Sequence, residues 1–215
     1  MTVTHTKRAL VLGDSISSLV YADSPAVPDA NKLWVHQLAQ ATGINVQSLS
    51  APGNRVSVGS APDFSLRYNS NAFNLMRGTA LPAFVIITAG TNDYAAGDIN
   101  VYTNPTYNFH SDYRWILSYW KSNGVPVLVV HPLWRSDEAT AYAHPDGAWP
   151  MSTWRTWIST FAAEKSFPVM QHTDFGLTPA DFVHDTPTLQ LHMNGDGHDK
   201  FFAGILLKLQ TLGWV

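Results

Sequence analysis

Short apolar runs alternate along this chain with segments whose apolar residues recur at helical spacing. Five short stretches are predicted as strands: Ala9–Leu12, Asn45–Leu49, Phe84–Thr88, Val125–Val130 and Phe167–Met170. Continuous apolar runs among them, such as Phe84–Thr88, fit burial on both faces of a sheet. Between them the pattern predicts helices that begin after caps at Asn31, Ser111 and Ser152, and the last helix is predicted over Asp199–Leu212. We therefore expect an α/β protein.

Strands that alternate with helices form mostly parallel sheets with helices on both faces. The prediction is a three-layer α/β/α sandwich with a flavodoxin-like, doubly wound, parallel sheet of five strands. No linker or repeat divides the chain, so we expect a single domain over residues 1–215. Ligands of such sheets bind beyond the carboxyl ends of the strands. Two long irregular loops, Ala51–Thr79 and Pro132–Pro150, follow strands at that edge.

Composition excludes several classes of function. The 215 residues carry a formal net charge of −3, and no cluster of Lys and Arg is present, so we expect no nucleic-acid partner. There are no cysteines, which excludes disulfides, thiolate metal sites and cysteine nucleophiles. The start "MTVTHTKRAL" lacks the apolar core of a signal peptide, and no run has the roughly 20 apolar residues of a membrane span. The sequence predicts a soluble chain.

Four polar positions follow different predicted strands or precede the last helix. Ser15 lies in "GDSIS", Gly53 in "SAPGNRVS", Asn92 in "TAGTNDYAAG" and His192 in "LHMNGDGHDKFFA". Alone, the first two stretches are more typical of ordinary turns and the last of a hydrogen-bonded surface or core histidine, while the third fits a turn and an oxyanion donor about equally. Together they supply a nucleophile, oxyanion donors and a general base, which is the set that acyl transfer needs. Asp14 and Asp93 adjoin two of these residues and are expected to hold their turns.

These stretches resemble the four blocks of the SGNH hydrolases, also called the GDSL esterase/lipase family. "GDS" resembles the first block, "APGN" the second, "AGTND" the third and "LHMNGDGHDKFFA" the last, in which Met193 stands where the family usually has proline. The resemblance implies a serine esterase that works through an acyl-enzyme. It makes Ser15 the nucleophile and His192 the base. The oxyanion hole would comprise Ser15, Gly53 and Asn92, and no metal or organic cofactor is implied.

One position departs from the family pattern. The family usually has an aspartate three residues before the catalytic histidine, and this chain has Leu189 there. Three interpretations follow. A backbone carbonyl near Leu189 could orient the imidazole, or an aspartate of the preceding segment, Asp185 or Asp181, could reach it. Alternatively, Asp181 and His184 of "DFVH" form the acid–base pair, which we rank below His192 because "HMNGDGH" fits the family's ending better.

The natural ester is a separate question. Low charge (13%) with eight Trp and eight Tyr is typical of proteins that work outside the cell or handle sugars, and we expect a carbohydrate O-acetyl esterase. Candidate stacking residues are Trp134, Trp149 and Trp154, of which Trp154 is expected in a helix core. The competing hypothesis is a weak or inactive module of the same fold within a larger assembly, since the usual acid is missing. The spacing of His192, Asp196, His198 and Asp199 matches no zinc or calcium signature.

Overall fold

The computed structural model describes residues 7–18, 29–57, 81–104 and 108–215. Within these ranges the strands are β1 (Arg8–Gly13), β2 (Asn45–Ser48), β3 (Phe84–Thr88), β4 (Val127–Val130), β5 (Tyr142–His144), β6 (Gly147–Trp149), β7 (Val169–Met170), β8 (Phe182–Thr186) and β9 (Leu189–Met193). The central sheet is parallel, in the order β2-β1-β3-β4-β7. The predicted five-stranded, doubly wound sheet is confirmed.

The helices of the described ranges are α1 (Trp34–Thr42), α2 (Thr91–Ala95), α3 (Phe109–Ser122), α4 (Met151–Glu164) and α5 (Gly195–Thr211). Helices α1 and α5 pack on one face of the sheet, while α3 and α4 pack on the other. The sheet residues alternate accordingly. Leu10, Leu12, Val85 and Ile87 point to one buried cluster, and their neighbours Ala9, Val11, Phe84 and Ile86 point to the other. This is the expected three-layer sandwich.

The three predicted helix starts are each displaced, and local side-chain hydrogen bonds account for the first two. Asn31 is not a cap, because the Asp29 side chain accepts from the Asn31 N–H and forms a 3₁₀ turn over Ala30–Lys32 before α1 begins. Asn108 caps α3, and the predicted cap Ser111 sits three residues later as its capping-box partner. Pro150 precedes α4, so Ser152 lies inside the first turn. At α1 and α3, two polar side chains near the helix start are able to accept from the same backbone N–H groups. The sequence spacing does not show which of the two becomes the cap.

Two hairpins lie where the sequence predicted only irregular loops. Strands β5 and β6 pair within Pro132–Pro150, and β8 pairs with β9 through a two-residue connection, Pro187–Thr188. The remainder of the predicted loop Ala51–Thr79 beyond Ser57 lies outside the described residues. Across the described parts, no helix is both long enough and apolar enough to cross a membrane.

Candidate active site

Ser15 begins a 3₁₀ turn, Ser15–Ser17, directly after β1. Gly13 ends the strand where β3 comes very close, because a Cβ on Gly13 would lie 2.2 Å from Thr88 Oγ1. Asp14 then caps the turn, accepting a hydrogen bond of 3.1 Å from the Ile16 N–H. The sequence Gly-Asp-Ser thus provides a close approach, a cap and a projecting hydroxyl in three consecutive residues.

Three neighbouring side chains fix this turn. Ser17 Oγ and Thr88 Oγ1 are 2.6 Å apart, and the Trp34 indole N–H donates to the Ile16 carbonyl at 3.2 Å. The Ser48 hydroxyl donates to the Ser17 carbonyl at 2.8 Å. Bonds from β3, α1 and β2 therefore hold the backbone around Ser15, whose own exposure is 8%. A nucleophile held in this way needs little reorganisation before it reacts.

The hairpin β8–β9 brings an imidazole and a carboxylate to Ser15. His192 Nε2 lies 2.7 Å from Ser15 Oγ, and His192 Nδ1 is hydrogen-bonded to Asp185 Oδ1. The other oxygen of Asp185 accepts from the backbone N–H groups of Leu191 (2.8 Å) and His192 (3.1 Å). The three side chains form a continuous chain of hydrogen bonds from Asp185 through His192 to Ser15.

The direction of this chain follows from what each group is able to donate. An ionised carboxylate only accepts hydrogen bonds, so His192 Nδ1 carries a hydrogen atom and donates a hydrogen bond to Asp185. His192 Nε2 is then the acceptor, and the Ser15 hydroxyl donates to it. This tautomer is the one that a general base needs in order to take the serine proton.

The structure distinguishes between the three interpretations of the missing acid. Asp185, one of the two aspartates of the preceding segment, contacts His192 Nδ1, while Leu189 occupies the family's usual position. Asp181 accepts instead from the Thr178 N–H and hydroxyl and from the Lys200 ammonium at 2.7–2.9 Å. His184, the alternative base, is exposed on β8, and Ser15 Oγ contacts His192. The sequence suggested a loop just before the last helix for His192, but His192 lies on strand β9.

The two other predicted site residues are linked to the nucleophile turn through Asn54. Gly53 has φ of +77° in a turn closed by the Asn54 N–H and the Ala51 carbonyl, which is a type II arrangement with Pro52 before the glycine. The buried Asn54 side chain donates to the Gly13 carbonyl at 3.0 Å. Asn92 donates one amide N–H to the Asn54 carbonyl at 3.0 Å, which leaves its second N–H for another acceptor.

A profile of the GDSL-like lipase/acylhydrolase family matches residues 11–200, a span that contains every residue of this site. The chain belongs to this family. Membership supports an ester-hydrolysing enzyme in general terms. No curated protein matches the chain.

Solved GDSL hydrolases share the fold at low identity. TesA matches with a TM-score of 0.66 and 16% identity, over 96% of this chain and 99% of its own. Esterase EstA of a Pseudoalteromonas species matches at 0.63 and 14%, covering 95% and 99%. A GDSL-like lipase of Bacteroides thetaiotaomicron matches at 0.58 and 18%, covering 96% and 89%. At these identities the likeness concerns the fold, and the site is argued from its own geometry.

Asp199 and His198, two further polar residues of the last block, contact the segment around the start of α1. Asp199 binds the Lys32 ammonium and the Gln37 amide, and His198 is buried beside the Trp34 N–H. These contacts join α5 to the start of α1. In the part of the chain that the structure describes, no group of three or more His, Asp and Glu side chains is arranged to bind a metal ion.

Two buried carboxyl groups, Asp14 and Asp93, bind backbone N–H groups of the loops around the candidate site. Asp93 accepts from the N–H groups of Val56 (2.9 Å) and Ser57 (2.9 Å) and from the Ser57 hydroxyl (2.8 Å), which fixes the segment after Gly53. Burial raises the pKa of Asp14 to about 7 and that of Asp93 to about 6, and the charge of Asp93 also raises the pKa of Asp14. Asp14 holds its own turn, as its position suggested, whereas Asp93 lies in α2 and holds the separate segment Val56–Ser57.

The raised pKa of Asp14 predicts a pH-dependent effect of Asp14→Asn. The folded protein holds this proton more tightly than the unfolded chain does. The free energy of unfolding of the wild type therefore falls as pH rises from about 4 to 7, because the buried carboxyl must ionise. Asparagine keeps the cap without the charge. Relative to wild type, the variant should gain on the order of 2–4 kcal/mol in free energy of unfolding across this interval.

Denaturant unfolding at a series of pH values measures this gain. Asp29→Asn is the matched control, because Asp29 makes the same capping bond to the residue two positions later at an exposed site. A gap between Asp14→Asn and wild type that stays constant from pH 4 to 8 would contradict the assignment.

Proposed function

We propose that this protein is a serine esterase that hydrolyses carboxylic esters through an acyl-enzyme. The observation that carries the proposal is the hydrogen-bonded chain Asp185–His192–Ser15, with 2.7 Å between His192 Nε2 and Ser15 Oγ. In the reaction, Ser15 Oγ attacks the ester carbonyl while His192 Nε2 takes its proton. His192 then returns the proton to the departing alcohol. Asp185 keeps the imidazole in the required tautomer and stabilises the imidazolium.

The second half of the reaction uses the same groups. Water attacks the acyl carbonyl carbon while His192 Nε2 takes one of its protons. His192 then gives that proton to Ser15 Oγ as the bond between Ser15 and the acyl group breaks and the acid departs. The competing hypothesis of a weak or inactive module was based on Leu189, which stands where the family usually has the catalytic aspartate. Asp185 makes the contact that such an acid would make, and this favours the enzyme.

The oxyanion of the tetrahedral intermediate requires donors near Ser15. We assign this role to the Ser15 N–H, the Gly53 N–H and the Asn92 amide. The hydrogen bonds Asn54–Gly13 and Asn92–Asn54 link the three loops that carry these donors. Donors fixed by neighbouring backbone cost no reorganisation as charge develops on the oxygen.

Asn92→Ala tests the oxyanion assignment. Losing one donor should lower kcat by about 10²- to 10³-fold and leave KM nearly unchanged, because the charge forms only in the transition state. Steady-state kinetics with p-nitrophenyl acetate measures this effect. Since Asn92 also donates to Asn54, thermal unfolding of the variant must accompany the kinetics. A folded variant that loses less than tenfold would remove Asn92 from the oxyanion hole.

For the ester itself, we propose an acetyl group on a carbohydrate. Trp154 is completely buried, and half-buried Trp134 packs against Phe182, so neither is a free platform. Trp149 and Tyr102 remain, with ring centroids 5.4 Å apart and Tyr102 49% exposed. Trp149 ends β6, and Tyr102 lies between α2 and α3. Aromatic faces of this kind stack on sugar rings. The small number of charged residues agrees with a neutral substrate.

Tyr102→Ala tests the carbohydrate preference. It should lower kcat/KM on acetylated xylo-oligosaccharides by about tenfold through KM and leave hydrolysis of p-nitrophenyl acetate unchanged, because only the sugar uses the ring. Trp115→Ala is the control, since it removes another exposed aromatic ring, on α3. Faster hydrolysis of p-nitrophenyl palmitate than of any acetylated sugar would contradict the proposed substrate while leaving the esterase intact.

A further inference from the structure

A second cleft opens at the carboxyl ends of β4 and β7, away from Ser15. Its volume is about 480 Å³, within the range of small-molecule sites. In the sheet order, β3 separates β4 from β1, which carries the nucleophile, so the two sites are about 10 Å apart across the strands. All eight side chains that line the cleft are polar. Carbon atoms of these side chains form much of the exposed lining, so the cleft offers both hydrogen-bonding groups and apolar contact.

A buried histidine and a half-buried one line the cleft. His131, directly after β4, is 4% exposed, and its Nε2 lies 2.7 Å from the Ser159 hydroxyl. The imidazole of His172 lies nearly parallel to it, with the ring centroids 6.4 Å apart. The Nδ1 atoms of both rings are buried and have no hydrogen-bond partner among the residues that the structure describes. Buried polar atoms in native proteins are nearly always bonded, so each such atom needs an explanation.

The cleft has no net charge to offer a ligand. Buried Arg155 donates to the carbonyls of Pro132 (3.0 Å) and Leu133 (2.8 Å) and to the Glu138 carboxylate (2.8 Å), so its charge is paired. Burial lowers the pKa of His131 to about 4 and also lowers that of His172, and the adjacent Arg155 acts in the same direction. Both imidazoles are therefore neutral at pH 7. Neutral imidazole presents one donor and one acceptor.

We propose that this cleft binds a neutral, hydroxyl-rich molecule of the size of a monosaccharide or a small polyol. Each hydroxyl of such a ligand donates one hydrogen bond and accepts one or two. This matches the mixture of donors and acceptors around the cleft, which are imidazole, hydroxyl, carboxylate and amide groups. Anions would meet Glu138 without a free cation to offset it, and cations would meet Arg155. The proposal concerns binding alone and does not depend on the esterase activity.

Titration calorimetry on the full chain tests the proposal. The neutral probes are D-glucose, D-xylose, N-acetylglucosamine and myo-inositol, and the anionic probes are D-glucuronate and inorganic phosphate. We expect saturable binding of at least one neutral probe at millimolar concentration, with the anions weaker. Ser159→Ala should weaken that binding by about tenfold, as expected for one or two lost hydrogen bonds.

Thr156→Trp places a large side chain at the exposed rim of the cleft and should abolish binding. Thr160→Trp is the matched control, because Thr160 is one turn further along α4, is exposed, makes the same hydroxyl bond to the carbonyl four residues earlier and does not line the cleft. Three results would overturn the proposal: no saturable binding of any neutral probe, tighter binding of an anion, or binding that Thr156→Trp leaves intact. Since no ester is used, none of these results bears on hydrolysis.

Discussion

His192→Ala is expected to lower kcat/KM for p-nitrophenyl acetate by about 10⁴- to 10⁶-fold. The reason is the contact of 2.7 Å between His192 Nε2 and Ser15 Oγ, through which the serine loses its proton as it attacks. Without that acceptor, the nucleophile is a neutral hydroxyl at pH 7. The side chain is 14% exposed on a hairpin rather than in the core, so its removal should leave the fold intact.

His184→Ala is the control for this prediction. His184 lies on the partner strand of the same hairpin, is exposed, and was the alternative base in the sequence. Its replacement should change kcat/KM less than about twofold. If His184→Ala is inactive and His192→Ala retains activity, the assignment of the base is wrong.

Asp185→Asn is expected to lower kcat by about 10³- to 10⁴-fold with little change in KM. An asparagine amide is able to donate to His192 Nδ1, which favours the tautomer with the proton on Nε2. That tautomer has no acceptor for the Ser15 proton. Asp185 also accepts two backbone N–H groups of β9, so the variant should be checked by circular dichroism and thermal unfolding.

Asp181→Asn separates a general loss of carboxylate charge from the specific role of Asp185. Asp181 bonds to Thr178 and Lys200, so its replacement should destabilise that turn and leave kcat within about threefold of wild type. Equal losses in kcat for both variants would contradict the triad, and so would full activity of Asp185→Asn.

The centre of the sheet could be predicted from the sequence because β1, β3 and β4 are continuous apolar runs. Phe84–Thr88 has the predicted bounds, and β1 differs by one residue at each end. These residues are buried on both faces, so the pattern is controlled by burial alone. Helix starts were less predictable, as Asn31 and Ser111 show, because several capping side chains compete within three residues.

The position of the acid could be narrowed but not fixed from the sequence. Asp185 and Asp181 both precede His192, and neither has the family's spacing. What decides between them is the pairing of β8 with β9, in which the register shifts on both sides of His184. The signal in the sequence was "HDTPTLQLH", in which a Pro–Thr pair separates two segments able to form a hairpin. Cross-strand contacts of this kind depend on register, and a bulge changes register without changing composition.

The central claim is that Ser15 is a nucleophile activated by His192. The most direct measurement is treatment of the folded protein with an alkyl fluorophosphonate, followed by peptide mass spectrometry. The account predicts one covalent adduct per chain on the peptide that contains Ser15, and a much slower reaction in His192→Ala. No adduct on Ser15, or an adduct that forms equally fast without His192, would contradict it.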